Sequence, residues 1–172
     1  MAFSSRIRSI SFRGHRKRHL QRHSSVRLLS PLLALAFVAC ASIPMATAAQ
    51  DAEAKKFSPV AEKGVLYVVH NGGYLSSRAL LQIFVDGRAM GSLTGWTFHR
   101  LVLDHGMHSV LASSPENEQQ VDVDVAAGDV RFVGVTSAWG WAHGRVGDLR
   151  RLTTEEGRAD VSKAQLAVGF GR

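Results

Sequence analysis

The chain has 172 residues, with 21 Lys or Arg against 14 Asp or Glu and a formal charge of +7. The excess is local: eight bases and no acids fall in the first 50 residues, so the body from Asp51 onward carries a net −1. That balance, with Arg150-Arg151 too small a basic patch, argues against a nucleic-acid partner. The single cysteine, Cys40, rules out a disulfide framework and a Cys-based metal site or nucleophile in the body.

The basic residues of the leader run from Arg6 to Arg27, and the next 23 residues, 28–50, are uncharged. The apolar heart, 32–39, is too short to fill a bilayer, which needs about 20 apolar residues. Pro44 breaks it, and Ala46-Thr47-Ala48 has small side chains where a signal peptidase reads. Residues 1–48 therefore read as a basic leader and secretory signal peptide, with cleavage before Ala49. An uncleaved anchor is the plainer alternative. Phe37-Val38-Ala39-Cys40 resembles a bacterial lipobox, with Phe37 where leucine is usual. This makes Cys40 a candidate lipidation site, against the reading of a small buried apolar residue. The long basic start is either a solvated arm or an upstream extension of a signal that opens at Val26.

Residues 49–63 are small and charged and read as a spacer. Residues 64–172 are long enough for one modest core. Their signal is mostly strand, in seven runs: 65–69, 80–85, 88–93, 97–103, 107–112, 120–125 and 130–135. Asp86-Gly87 is a two-residue hairpin turn. Asp104-His105-Gly106 reads as a further hairpin turn, and Ala127-Gly128-Asp129 as the turn into 130–135. In 120–125 Val121, Val123 and Val125 alternate with polar residues, so the valines face inward. Thr153-x-x-Glu156 has capping-box spacing and opens a short helix over about 154–164, which Gly157 weakens by about 1 kcal/mol relative to alanine. The expected fold is mainly β: a small antiparallel β-sandwich of about seven strands with one short C-terminal helix. No βαβ alternation points to a nucleotide-binding sheet.

Five short motifs follow one another in this body. They are Phe84-Val85-Asp86-Gly87-Arg88, Gly91-x-Leu93, Trp96-Thr97-Phe98, Leu103-Asp104-His105-Gly106-Met107-His108-Ser109-Val110 and Ala127-Gly128-Asp129-Val130-Arg131-Phe132, with Glu155-Glu156-Gly157 near the end. Their order resembles an uncharacterised family of bacterial envelope domains, many of them lipoproteins, similar to the PEGA-type β-sandwich. His105 departs from the pattern, which has proline there. The resemblance implies a sandwich fold and an envelope compartment; it carries over no catalytic residue.

Two constellations could carry chemistry. His105 and His108 could contribute to a metal site, but zinc needs three or four ligands at about 2 Å. With a hairpin at His105-Gly106, His99 would lie about 13 Å from His108 along the ladder, too far to join it. The plainer reading has His108 bonding a backbone carbonyl and His105 solvated. The segment 137–147 sets Trp139, Trp141, His143 and Arg145 among three glycines, an arrangement that could stack on a sugar ring or anchor a partner. Its plainer reading has the tryptophans capping the core; Trp141 is expected to be the more exposed ring. No Gly-x-Ser-x-Gly or phosphate loop occurs, and Asp122 and Asp124 lack the cleft that a glycosidase pair needs. No cofactor is implied.

The expectation is an exported, non-enzymatic module of the bacterial cell envelope, periplasmic or membrane-anchored through lipid. Its partner would be an envelope protein or a cell-wall component. The alternatives are carbohydrate or cell-wall binding through Trp139 and Trp141, and a small metal-dependent hydrolase using His105 and His108.

Overall fold

The computed structural model describes residues 43–72, 79–142 and 144–169. The leader, including Cys40, and His143 lie outside the described residues. The body is a β-sandwich with helices on one outer face. All seven expected strands form: β1 (Gly64–His70), β2 (Leu81–Val85), β3 (Arg88–Leu93), β4 (Thr97–Leu103), β5 (Gly106–Ser113), β6 (Glu118–Val125) and β7 (Val130–Trp139). Two more join them, β8 (Gly144–Leu152) and the short β9 (Gln165–Leu166). One sheet has the order β8-β7-β1-β4-β9, the other β3-β2-β5-β6. The five-stranded sheet is mixed, since β1 runs parallel to β7 and β4 parallel to β9.

β1 explains the layering. Its run Val65-Leu66-Tyr67-Val68-Val69 has no polar face, and all seven residues of the strand are buried. Leu66 and Val68 enter the core between the sheets, with Ile83, Val110, Val123 and Val133. Val65, Tyr67 and Val69 enter a second core on the opposite face, with Phe98, Phe132 and Val161. A strand buried on both faces reads as a continuous apolar run, and here helices cover the second face. Within β6, Val123 and Val125 are buried and Val121 packs partly against the core, while Asp122 and Asp124 are exposed. The alternation therefore has the expected register.

The C-terminal helix α2 (Thr154–Lys163) has the capping box that its sequence announces, with Thr153 and Glu156 satisfying each other's backbone amides. Gly157 does more than weaken it. A Cβ there would lie 2.2 Å from Phe132 Cγ, so the missing side chain lets α2 lie directly on the sheet.

Two expectations are corrected. Residues 49–63 are not a spacer. Helix α1 (Ala48–Ala54) starts on a second capping box, Thr47 with Gln50. Ala54 is buried, its carbonyl accepts a 2.6 Å hydrogen bond from the Tyr67 hydroxyl, and Phe57 and Val60 pack on the outer core. Upstream, Met45 bridges Ala167, Ala46 N–H donates to Leu166 O, and Val168 N–H donates to Pro44 O. The Asp51 carboxylate accepts from Leu166 N–H at 2.8 Å. Composition hid this because small and charged residues serve a short amphipathic helix as well as a linker.

The second correction concerns pairing. β4 and β5 do not form a hairpin: β4 pairs with β1 and β9, β5 with β2 and β6. The link at Asp104-His105 crosses between the sheets, and so does the one at residues 126–129. A tight turn looks alike in sequence whether it returns a strand to its neighbour or carries it to the facing sheet. Asp86-Gly87 is a true hairpin turn, with φ of 50° and 75°, as a type I′ turn requires.

Candidate functional site

The aromatic segment is a hairpin rather than a free loop. Trp139 ends β7 and pairs with Gly144; Ala138 pairs with Arg145. Gly144 is needed there, because a Cβ would lie 2.3 Å from the Ala79 methyl. The hairpin is braced by the neighbouring turn at residues 114–117. The Glu116 carboxylate accepts from Trp141 N–H at 2.8 Å and from Ala142 N–H at 3.0 Å. Asn117 accepts from Val146 N–H and donates to Val146 O, both at 2.8 Å. Gln119 donates to Gly147 O at 3.1 Å. Charged acceptors on backbone amides are among the stronger hydrogen bonds, so this hairpin is fixed from its side.

On this braced support both rings stand in solvent. Trp139 is 76 % exposed and Trp141 102 %. Neither caps the core, and Trp141 is the more exposed, as expected. Arg145 is exposed and makes no ion pair or hydrogen bond with a side chain among the described residues. Trp96, in the β3–β4 turn, lies at the same end of the sandwich and is 41 % exposed. Its φ of 61° is uncommon for a bulky residue; Trp96 N–H donates to His70 O, and Gln165 N–H donates to Trp96 O. These two bonds hold the turn. The role of Glu116 and Asn117 was not legible in the sequence, because their partners lie 25 to 29 residues away.

The described histidines that make hydrogen bonds each have partners of their own. His108 Nδ1 donates to Asp86 Oδ2 at 2.7 Å and its Nε2 donates to Asp104 O at 2.9 Å. Asp86 also accepts from Ser109 N–H. Both partners of the ring only accept, so the arrangement suits an imidazolium. Burial pulls the His108 pKa down, but the Asp86 bond, the Asp104 carbonyl and the two negative charges outweigh it and the net shift is upward. His105 is exposed. His99, opposite Val68 in the other sheet, bonds Ala167 O through Nδ1. Among the described residues no group of three His, Cys, Asp or Glu side chains could hold a metal ion.

His70 and His99 are buried between the sheets. His70 Nε2 bonds the Ser137 hydroxyl at 3.1 Å. Burial lowers its pKa to about 4, against a smaller upward pull from the Thr94 backbone. His99 is lowered for the same first reason, offset in part by the Ala167 and Ser92 backbone. Both are neutral core members at pH 7. A cleft of about 260 Å³ opens beside β6, β7 and β8, lined by Val123, Asp124, Arg131, Phe132, Arg151 and Leu152. It falls below the usual 300–1,000 Å³ of small-molecule sites.

No family model matches the chain, and no solved structure matches it. It is similar to an uncharacterized protein of Haemophilus influenzae, at 24 % identity over 137 residues that cover 79 % of this chain and 80 % of that protein.

Proposed function

We propose that the chain is an exported, non-enzymatic module of the bacterial cell envelope that engages a partner through the Trp139–Trp141 hairpin. The observation that carries this reading is the exposure of both rings on a hairpin fixed by Glu116 and Asn117. Burying a large aromatic contributes roughly 1.5–3 kcal/mol, and this fold forgoes that gain twice at one tip. Tryptophan is also the residue type most enriched at binding hot spots. Metal-dependent hydrolysis through His105 and His108 draws no support, since both His108 nitrogens are engaged.

The same proposal includes a lipid tether at Cys40. Of the two expected processing sites, Cys40 is the one that leaves the described fold whole. A cut before Ala49 would remove the Met45–Ala167 bridge, the Ala46 and Pro44 backbone bonds and the Thr47 cap. Loss of an N-cap alone costs about 0.5–2 kcal/mol. Intact mass of the protein recovered from the membrane fraction tests the tether. The expected N-terminal residue is a lipid-modified Cys40, and an unmodified chain starting at Ala49 would reject it. Envelope fractionation of the Trp139→Ala, Trp141→Ala double variant with Cys40→Ser tests the contact surface. Association of the Cys40→Ser protein with the envelope should disappear when both rings are removed.

A further inference from the structure

We infer that the hairpin end of the sandwich takes a glycan strand, and that it faces away from the pole where the chain approaches its membrane tether. This rests on the reading of the hairpin as a contact surface and names what that surface binds.

The polarity follows from the ladders. Thr97 and Val135 both pair with His70, which levels β4, β1 and β7. Trp139 lies four residues beyond Val135 along β7. Residues 165–168 run parallel to β4 and so opposite to β7, with Leu166 level with Phe98. Pro44 is held by Val168, and Met45 by Ala167. Followed towards its N-terminus from Ala46, the chain therefore heads for the end opposite Trp139. Pro44 and Trp139 are about 20 Å apart along the strand axis at 3.3 Å per residue. A domain tethered close upstream of Ile43 carries its tryptophans on the far side from the bilayer, so the tethering membrane is not what they touch.

The size and chemistry of the tip favour a sugar chain over a protein. A large aromatic buries 150–250 Å², so two rings offer roughly 400 Å². A stable protein interface needs about 800 Å² from each partner. The Trp141 and Ala142 amides are already taken by Glu116, so neither is open to an added peptide. What remains is two open ring faces and the Arg145 guanidinium, which is unpaired among the described residues. Rings that stack on the apolar face of a pyranose, beside a fork of donors for its hydroxyls, are a suitable set for a neutral glycan.

The chain's three tryptophans, Trp96, Trp139 and Trp141, are all exposed and all at this end, so intrinsic emission reports on it alone. The test uses the full chain purified from envelope in detergent, with an N-acetylglucosamine hexasaccharide and peptide-free cell-wall glycan as probes. The expected result is a blue shift of tryptophan emission with the hexasaccharide and co-sedimentation with the wall glycan. Affinity should fall at least tenfold in the double variant Trp139→Ala, Trp141→Ala at unchanged melting temperature, and two- to fivefold in Arg145→Ala. If neither glycan binds while the double variant still loses envelope association, the glycan inference is overturned and the contact surface stands with a protein partner. If the double variant keeps its envelope association in the Cys40→Ser background, the contact-surface reading falls as well.

Discussion

Two groups of aromatic residues in the described fold are treated oppositely. Under the helices, Phe57, Tyr67, Phe98 and Phe132 meet ring to ring, with Tyr67 and Phe132 stacked at 5.2 Å. At the hairpin end, Trp139 and Trp141 meet water. Both groups sit on the same sheet, and Phe132 and Trp139 sit on the same strand. The difference is cover. α1 and α2 close the outer face beside Phe132, while no buried cluster includes Trp139 or Trp141. Aromatic residues thus stabilise one region, and in the other they are held in place by polar bracing that does not depend on their burial.

That contrast can be broken or sharpened by substitution. The largest effect is expected in the core shared by the sheets. Val123→Asp should abolish folding, because an unpaired buried carboxylate costs several kcal/mol and small domains have about 5–15 to lose. Asp122→Val, one residue away on the solvated face, should leave denaturant unfolding nearly unchanged. Equal midpoints for the two would overturn the β6 register.

Phe132→Ala should cost about 3–5 kcal/mol by the lost burial and the cavity left beneath Gly157. Chemical denaturation measures it, and a loss below about 1 kcal/mol would mean that the outer layer is dispensable.

Acid should weaken the fold through His70. Its pKa is about 4 in the folded chain and about 6.5 when unfolded, so the unfolded state takes up the proton first. Its stabilising contribution is complete above pH 6.5 and is lost as the pH falls through 4, to a total of roughly 3 kcal/mol. His99 acts in the same direction. Melts of wild type and His70→Gln between pH 7 and 4 should converge as the pH falls; parallel curves would reject the assignment.

Gly157→Ala should destabilise by about 1 kcal/mol or more, although alanine favours a helix by about that amount. The new methyl must displace Phe132, and overpacking usually costs 1–3 kcal/mol. A stabilised variant would show that α2 can lift from the sheet without loss.

The smallest effect is expected where the rings are largest. The Trp139→Ala, Trp141→Ala double change should move the melting temperature by no more than 2–3 °C, since neither ring contributes to either core. A large drop would make the hairpin structural and withdraw it as a contact surface.

What the sequence determined alone was local. Alternation in residues 120–125, the unbroken apolar run of β1 and the Asp86-Gly87 turn each state a backbone preference within a few residues, and seven strands and the Thr153 cap followed. β8 was missed because Gly144, Arg145, Gly147, Asp148, Arg150 and Arg151 dilute its two buried residues, Val146 and Leu149. α1 was missed because seven small and charged residues make a helix only when Tyr67 and Leu166 are there to meet it. The two-tryptophan segment was legible as the place to look, but not whether its rings were in or out. That depended on Glu116 and Asn117 arriving from another hairpin. Pairing, cover and exposure depend on contacts between residues far apart in the chain, so they were decided only when the sheets closed on each other.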